Sequence, residues 1–502
     1  MLSFEEFEQL ARSHNVIPLT RMLLADTHTP VSVYLTLRQE GTPSFLLESA
    51  ETNEKLGRYS FVGLSPSMMI RARGQEVSVA SEGSRTVTDR NVLEVLRNLS
   101  SRFNQAHTGV GTGLSGGFVG YLGYNSVRHL ERIPIPAPAE EDEDDAVFGL
   151  FPTIIRFDHL AHVITIIRNV MVDPARPLRP HYEQGKQEIE ALELRLRQST
   201  VNAASFRCEP NGAADTRDRE HYCSAVARAK EYIYEGDIFQ VVLSRRIDRK
   251  FFGDLFPVYR ALRLINPSPY LYYIDFGETK LVGSSPEILV RSRKGVVEVL
   301  PIAGTRKRGA DEKEDVLLER ELLRDEKELA EHVMLVDLGR NDLGRICQYG
   351  TVEVPVLKRV ERYSHVMHIV SEVRGHLKDG TSPVDVLASC FPAGTVSGAP
   401  KVRAMEIINE LEQTPRGAYA GAVGYIGFDG SVDTCITIRT LIAQGDRLKI
   451  QAGAGIVADS VPETEYQETV NKSRALLEAV SFAAGEIPAD QLLARLGGGG
   501  GD

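Results

Sequence analysis

The sequence lacks the features that mark secreted, membrane-spanning and nucleic-acid-binding proteins. Its five cysteines form no close Cys-x-x-Cys pair, which argues against a disulfide framework and a thiolate zinc site. No apolar run approaches the roughly 18 residues of a membrane span, and the N-terminal segment lacks the basic and apolar regions of a secretory signal. The 58 Lys and Arg are outnumbered by 69 Asp and Glu, so the basic surplus of a nucleic-acid binder is also missing. We therefore expect a cytoplasmic protein that binds neither membranes nor nucleic acids.

Several catalytic signatures are missing as well. There is no Walker A sequence, no His-Glu-x-x-His and no Gly-x-Ser-x-Gly, which leaves ATP use, zinc proteolysis and serine hydrolysis without support. The Gly-x-Gly-x-x-Gly at Gly111, Gly113 and Gly116 leads into a predicted strand instead of a helix, so it indicates a turn and not a phosphate cradle. Tryptophan is absent altogether.

The residues that are present are typical of a globular protein, with 42% hydrophobic and 25% charged residues. Alternating apolar and polar residues over 31–37 predict a strand, and apolar runs predict further strands at 116–125 and 151–170. Helical spacing predicts helices at 181–198, 219–236, 314–338, 359–374 and 462–483. Because these elements lack a regular βαβ rhythm, we expect an α+β fold with antiparallel sheets.

Composition divides the chain into two large regions. We expect a β-rich region at 1–199, a linker or surface excursion at 200–218, a second region of mixed helices and strands at 219–486 and a flexible tail at 487–502. The acidic, proline-containing run from Pro134 to Asp145 is most simply a solvated loop.

Two glutamate pairs have the spacing of neighbours on one helix face. Glu328 and Glu331 form the first pair, and Glu465 and Glu468 form the second, each at positions i and i+3. Either pair alone is most simply a solvated helix face. Two pairs on separate helices, one of them followed by Lys472, can instead converge on a hard cation such as Mg²⁺, which would hold an anionic substrate group.

Three glycine-bearing stretches are candidates for backbone contacts with an anionic substrate: PIAGTR (301–306), FPAGTVSGAPK (391–401) and QAGAGIV (451–457). Any one of them alone is most simply a turn. Arg439, in the predicted strand ITIRT, points to the face opposite Ile436 and Ile438. It is either a bidentate carboxylate ligand or an exposed surface arginine.

These residues lie in segments that resemble the chorismate-utilising enzymes over about residues 220–485. The segments are EHVMLVDLGRND, YSHVMHIVSEV, FPAGTVSGAPK, AGAVGYIG, ITIRT, AGAGIV and EYQETVNK. Within the family, LLESAETNEKLGRYSFVG and NPSPYLYYI resemble the large subunits of anthranilate synthases. The resemblance implies a chorismate-binding catalytic region at 219–486. It also implies antiparallel sheets that form a sandwich-like core with helices packed outside.

The resemblance further implies a Mg²⁺ cofactor, held directly by Glu331 and Glu468 and through water by Glu328 and Glu465. The catalytic residues that it implies are Glu287 as general acid, His368 at the pyruvate-elimination step and Thr395 as an orienting group. The implied substrate contacts are Gly304, Thr305, Tyr419, Arg439, Gly453, Ala454, Gly455 and Lys472. Without the resemblance, His368 would most simply be a core histidine.

Two positions indicate the nucleophile. Gln240 stands where water-adding members of the family carry a lysine base, and a glutamine cannot take a proton from water, whereas ammonia is already nucleophilic. Ala303 stands where aminodeoxychorismate synthases carry a nucleophilic lysine. We therefore expect ammonia to attack C2 of chorismate directly, giving aminodeoxyisochorismate and then anthranilate and pyruvate.

The ammonia source and the regulation follow from the same resemblance. None of the five cysteines lies in the Gly-x-Cys-x-Gly turn of a glutamine amidotransferase, so we expect a separate glutaminase small subunit in a hetero-oligomer. In the family, LLES and NPSPY line a pocket for L-tryptophan as inhibitor. The matching residues are Glu48, Ser49, Pro269, Tyr270 and Leu271.

Three alternatives stay open from the sequence. An aminodeoxychorismate synthase subunit would give a different product on the same fold, and Ala303 argues against it. An aminodeoxyisochorismate synthase that retains pyruvate shares nearly all of these residues, and only the tryptophan-site segments argue against it. An inactive tryptophan-sensing subunit would keep the pocket alone, which the presence of Glu287, His368 and the glutamate pairs speaks against.

Overall fold

The computed structural model describes residues 1–49, 57–81, 83–109, 111, 113–135, 142–173, 176–198, 205–209, 216–309, 311–362, 366–412 and 414–492. These residues form eleven α-helices: α1 Phe4–Ala11, α2 Pro30–Leu37, α3 Val92–Ser100, α4 Leu178–Arg197, α5 Thr216–Glu235, α6 Phe256–Ile265, α7 Glu312–Leu322, α8 Glu326–Gly344, α9 Pro383–Cys390, α10 Lys401–Glu412 and α11 Pro462–Ala483. None of the described helices is both long enough and apolar enough to cross a membrane.

The described residues also form 24 strands: β1 Val16–Leu24, β2 Ser44–Glu48, β3 Tyr59–Leu64, β4 Met68–Arg73, β5 Glu76–Ser81, β6 Ser84–Thr88, β7 Gly117–Leu122, β8 Ala146–Phe151, β9 Thr153–Asp158, β10 Val163–Met171, β11 Phe206–Cys208, β12 Gln240–Gly253, β13 Tyr270–Asp275, β14 Thr279–Ser285, β15 Ile288–Arg293, β16 Val296–Val299, β17 Ile302–Lys307, β18 Glu353–Arg362, β19 Val366–His376, β20 Gly398–Ala399, β21 Ala422–Gly427, β22 Val432–Ile436, β23 Thr440–Gln444 and β24 Arg447–Ile456.

The strands form two 12-stranded sheets. The first has the order β1-β10-β9-β3-β2-β13-β14-β23-β24-β12-β11, with β20 beside β12, and the second has the order β17-β19-β16-β15-β22-β21-β7-β8-β4-β5-β6, with β18 beside β19. The paired strands are antiparallel throughout. Strands from both predicted regions lie side by side in each sheet, as β2 with β13 and β7 with β21 show.

Alternate residues of the first sheet face two different cores. Phe45 and Tyr272 pack in a cluster with Phe118 of the second sheet, whereas their neighbours Leu46 and Tyr273 pack in a cluster with residues of α2, α4, α6 and α11. This two-residue period is that of a strand buried on both faces. It confirms the expected α+β fold, in which two antiparallel sheets enclose a core and helices pack outside.

The predicted strand over 31–37 is wrong, because these residues form α2. The Thr29 hydroxyl accepts a hydrogen bond from the Ser32 amide, and the Ser32 hydroxyl accepts one from the Thr29 amide. The buried side chains, Pro30, Val33, Tyr34 and Leu37, have helical spacing. This capping box, together with Pro30 at the helix start, outweighs the apolar alternation.

The predicted helix over 359–374 is also wrong, because these residues belong to β18 and β19. Met367, Ile369, Ser371 and Val373 are buried at every second position of β19, which pairs with β16, β17 and β18. The predicted helix over 314–338 is two helices, α7 and α8. A new helix begins there because the Asp325 carboxylate accepts hydrogen bonds from the amides of the first turn of α8.

The C-terminal end of the acidic run, residues 142–145, packs into the protein and is not a solvated loop. Glu143 is 3% exposed and Asp145 is 1% exposed. The Lys449 ammonium lies 2.7 Å from Glu143 and 2.8 Å from Asp142, and the Gly74 amide donates to Asp145 over 2.7 Å. Buried carboxylates need such partners, which the local sequence does not reveal. Residues 136–141 of this run, residues 200–204 and 210–215 of the predicted linker, and the tail from 493 lie outside the described residues.

Candidate active site

The two predicted glutamate pairs lie in the first two turns of α8 and α11. Burial raises the pKa of Glu328, and the Glu331 carboxylate raises it further, against the opposing Arg306. Burial likewise raises the pKa of Glu465, as does Glu468. Lys327 of α8 lowers the pKa of Glu465, so charges on the two helices interact across the site.

Each of the four glutamates has a polar partner at its carboxylate. The partners are Arg306 for Glu328 at 3.3 Å, Gln240 for Glu331 at 3.3 Å, Lys472 for Glu468 at 2.6 Å and the Ser460 side chain for Glu465. Among the described residues, no three His, Cys, Asp or Glu side chains converge with the spacing of a metal site. Four carboxylates are nevertheless the donors that Mg²⁺ prefers, so the chemistry of the set fits that ion. Arg306 is not among the predicted site residues, and its signal in the sequence is its place directly after Gly304 and Thr305.

Glu287 lies in the turn between β14 and β15. The Thr395 hydroxyl, in a 3₁₀ turn over 394–396, donates a 2.9 Å hydrogen bond to its carboxylate. Burial raises the pKa of Glu287 to about 7, against the opposing effects of Thr395, Lys472 and Arg439. A cavity of about 60 Å³ adjoins Glu287 and Thr395. A carboxyl group with this pKa is partly protonated at neutral pH and can donate a proton.

His368 lies on β19, opposite Thr305 of β17. Its Nδ1 is 2.9 Å from the Thr305 hydroxyl and 3.2 Å from the Gly304 carbonyl. Burial lowers the pKa of His368, and Arg439 lowers it further, which favours a neutral imidazole at pH 7. Gly304 has a φ of +74°, and a Cβ there would lie 3.3 Å from the Glu328 carboxylate. His368 and Glu328 therefore border the same irregular point of β17, where the pairing register shifts between Ala303 and Thr305.

The predicted substrate contacts Gly453, Ala454 and Gly455 lie on β24. A Cβ at Gly453 would lie 2.8 Å from the Tyr419 hydroxyl, and a Cβ at Gly455 would lie 2.7 Å from Nε2 of Gln240. Lys472 donates a 2.9 Å hydrogen bond to the Gly453 carbonyl. Close approach of other side chains thus requires glycine at both positions.

Arg439 does not lie on a strand, as predicted, but in the bend between β22 and β23. Its φ is +49°, and its carbonyl accepts a 3.1 Å hydrogen bond from the Ser284 amide. Strand alternation therefore does not set its direction. Burial lowers the pKa of Arg439, and the Glu287 carboxylate raises it, so the guanidinium is half-buried near Glu287 and is not an exposed surface group.

These contacts connect the predicted catalytic, substrate and metal positions into one region. Lys472 touches Glu468 and Gly453, and Gln240 touches Glu331. Arg439 acts on the pKa values of both Glu287 and His368. The region therefore combines a partly protonated acid, a neutral imidazole, four carboxylates suited to a cation and cationic groups suited to a carboxylate substrate.

A separate cavity of about 170 Å³ lies between the two sheets. Its lining includes every predicted inhibitor-site residue: Glu48, Ser49, Pro269, Tyr270 and Leu271. A wider cleft of about 730 Å³ beside α4 contains none of the predicted site residues.

The wall of this 170 Å³ cavity carries both acidic and basic groups. The Tyr270 hydroxyl donates to Asp433 over 2.8 Å and accepts a 3.0 Å hydrogen bond from Arg291. The Glu48 carboxylate accepts a hydrogen bond from Tyr259 and lies 3.1 Å from Arg263. Groups of both charges beside aromatic rings suit a zwitterionic amino acid.

Comparisons with known proteins identify the family of the chain. A model of the chorismate binding enzyme family matches residues 42–478. The chain is 45% identical over 493 residues to anthranilate synthase component 1 of Acetivibrio thermocellus, which covers 97% of this chain and 99% of that protein. It is 45% identical over 486 residues to anthranilate synthase component 1 of Aquifex aeolicus (strain VF5), which covers 96% and 98%. The crystal structure of anthranilate synthase component I from Streptococcus pneumoniae TIGR4 matches with a TM-score of 0.72 and 34% identity, over 90% of this chain and 98% of that one. The chain belongs to the chorismate binding enzyme family.

Proposed function

We propose that the chain catalyses the anthranilate synthase reaction, in which chorismate and ammonia give anthranilate, pyruvate and water as the first step of tryptophan biosynthesis. The 45% identity to proteins named anthranilate synthase component 1, over 97% of the chain, supports this proposal. The single observation that carries it is Gln240. A neutral amide lies 3.3 Å from Glu331 and beside Gly455, where a water-adding enzyme would need a base.

In the first step, a C–N bond forms at C2 and a C–O bond breaks at C4. The lone pair of ammonia attacks C2, the ring double bonds shift, and the C4 hydroxyl takes a proton from Glu287 and leaves as water. The added nitrogen releases one proton to solvent, which balances the step. A pKa of about 7 suits Glu287 to this role, and Thr395 orients its carboxyl group.

In the second step, the C2 proton is lost and the C–O bond to the enolpyruvyl group breaks. His368 accepts the C2 proton, because the neutral imidazole that burial favours can act as a base. The departing enolpyruvate takes up one proton and becomes pyruvate, and the ring becomes aromatic. Arg439, Tyr419, Lys472 and the backbone of Thr305 and β24 bind the carboxylates and the enolpyruvyl group.

Magnesium is proposed as the cofactor. Glu331 and Glu468 would hold the ion directly, and Glu328 and Glu465 would act through water. When bound, Mg²⁺ supplies positive charge for the substrate carboxylate in a region that otherwise holds four acidic groups.

We further propose a glutaminase partner, a tryptophan inhibitor and a cytoplasmic location. The name component 1 of the relatives implies a second component. We expect the two to form a hetero-oligomer, such as a heterotetramer. L-Tryptophan would occupy the cavity lined by Ser49 and Tyr270, whose lining includes none of the reacting groups, so inhibition would be a coupling between two sites.

The test is incubation of the purified chain with chorismate, ammonium and Mg²⁺, with and without tryptophan. Anthranilate is followed by fluorescence and pyruvate by a coupled reduction. We expect both products in equal amounts, and no anthranilate from glutamine alone. An amino product without pyruvate would identify an aminodeoxyisochorismate or aminodeoxychorismate synthase. Tryptophan binding without turnover would identify an inactive sensing subunit.

A further inference from the structure

Arg416 is a buried arginine next to the candidate site and is not among the residues predicted from the sequence. It is 3% exposed, and its guanidinium pairs with Glu412 in a bidentate manner. Nε donates to one Glu412 oxygen over 2.8 Å, and Nη2 donates to the other over 2.6 Å. Burial lowers the pKa of Arg416, but Glu412 raises it above its ordinary value, so the group stays charged.

Two further donors of the guanidinium bind backbone carbonyls of two site elements. Nη1 donates to the Val396 carbonyl over 2.7 Å, directly after Thr395. Nη2 also donates to the Val242 carbonyl over 2.7 Å, two residues after Gln240 on β12. One side chain thus joins the turn that orients Glu287 to the strand that carries Gln240.

The faces of the guanidinium and its carboxylate partner reach two further site elements. The guanidinium carbon lies 5.7 Å from the ring centre of Tyr419 and 4.7 Å from that of Tyr124. Glu412 accepts hydrogen bonds from the amide and the hydroxyl of Ser244, at 2.7 and 2.9 Å. Ser244 is paired with Gly453 across β12 and β24.

We propose that Arg416 is a positioning residue of the active site, which aligns Thr395, Tyr419 and the Gln240 strand through one planar guanidinium that donates four hydrogen bonds. The role rests on the proposed function, because the site elements that it aligns are those assigned to catalysis. A lysine keeps the charge but has no planar fork and no stacking face, so it cannot satisfy two carbonyls, a carboxylate and an aromatic ring together.

The test compares Arg416→Lys with Arg38→Lys. Arg38 also pairs with a carboxylate, that of Asp254, and lies 5.8 and 5.2 Å from the ring centres of Tyr34 and Phe256, but it is half-buried at the end of α2 and contacts no predicted site residue that is described. Wild-type anthranilate formation from ammonium is measured first and tests the proposed function alone. We expect kcat of Arg416→Lys to fall about tenfold or more with a small change in KM. The pH above which its activity falls should shift in the same direction as in Thr395→Val, because both changes remove a hydrogen bond made by the turn at 394–396.

Hydrogen exchange supplies a readout that does not depend on activity. Arg416→Lys should speed exchange in peptides covering 392–400 and 240–246 and leave the rest of the protein unchanged. Three results would overturn the proposal. The first is a variant Arg416→Lys whose kcat stays within twofold of the wild type and whose activity falls at the same alkaline pH. The others are an equal loss of kcat in Arg38→Lys and hydrogen exchange that is faster throughout the protein. If the wild type forms no anthranilate, the proposed function fails. The hydrogen-exchange comparison still decides whether Arg416 positions these segments, because a positioning role predicts faster exchange in these peptides alone and not throughout the protein.

Discussion

The Thr395 hydroxyl donates a 2.9 Å hydrogen bond to the Glu287 carboxylate and thereby lowers the pKa of Glu287. Burial outweighs this effect and raises the pKa to about 7. The chemistry that we assign to Glu287 needs its protonated form. Activity should therefore fall as pH rises through this pKa. The strength of this one hydrogen bond helps to set the pH at which activity falls.

Thr395→Val tests this relationship. Without the donor the pKa of Glu287 rises, so Glu287 stays protonated to higher pH and the alkaline limb of kcat should move to higher pH. The rate at the optimum should fall by about tenfold, since a hydrogen bond to a charged group contributes roughly 1.5 kcal/mol or more. The pH dependence of anthranilate formation measures both effects. Thr86→Val, on exposed β6, is the matched control. A limb that stays in place would contradict the assignment.

Gly455→Ala should displace Gln240. The new Cβ would lie 2.7 Å from Nε2 of Gln240, and the side chain would have to give up its 3.3 Å contact with Glu331. We expect kcat/KM with ammonium to fall by about a hundredfold, as a misplacement of about 1 Å can cost. Gly344→Ala, where no atom lies within 4 Å of the new Cβ, is the control. Adding Gln240→Asn should restore part of the activity, because the shorter amide leaves room for the methyl group. Either of two results would count against the role of this contact: no loss of activity in Gly455→Ala, or no recovery when Gln240→Asn is added.

Ser49→Phe should abolish tryptophan inhibition and leave ammonia-dependent activity within about twofold. An aromatic ring there would fill much of the cavity of about 170 Å³ between the sheets, whose lining includes neither Glu287 nor His368. Initial rates at increasing tryptophan concentration measure the effect. Ser84→Phe, on the exposed β6, should respond to tryptophan as the wild type does. Unaltered inhibition in Ser49→Phe would rule out the cavity as the inhibitor site.

Magnesium should raise the melting temperature of the wild type, and chelation should abolish activity. The ion relieves the repulsion between Glu328 and Glu331 and between Glu465 and Glu468. A ligand that binds only the folded state stabilises the folded protein. Glu331→Gln should lose most of this thermal shift, whereas Glu326→Gln, exposed on the same helix, should keep it. Differential scanning fluorimetry with and without Mg²⁺ gives the comparison. An equal shift in both variants would place the ion elsewhere.

The sequence predicted correctly those elements whose signals are local. The helix of Glu465 and Glu468 has helical spacing and begins at a proline, and the hairpin of β9 and β10 consists of alternating apolar residues beside a short turn. The glutamate pairs could be placed on helix faces for the same reason. Prediction failed at 31–37, where a capping box competed with alternation, and at 359–374, where three neighbouring strands determine the structure of β19.

The sequence by itself determined the family, the residue types of the site and the antiparallel α+β character, because motifs and periodicity are properties of neighbours along the chain. Only the tertiary structure showed that Arg439 sits in a bend, that Glu143 is buried against Lys449, and that Arg416 joins four separate elements. The pKa of about 7 at Glu287 also belongs to the fold. Burial and electrostatic partners depend on residues that are distant in the chain and adjacent in space, and no local pattern encodes them.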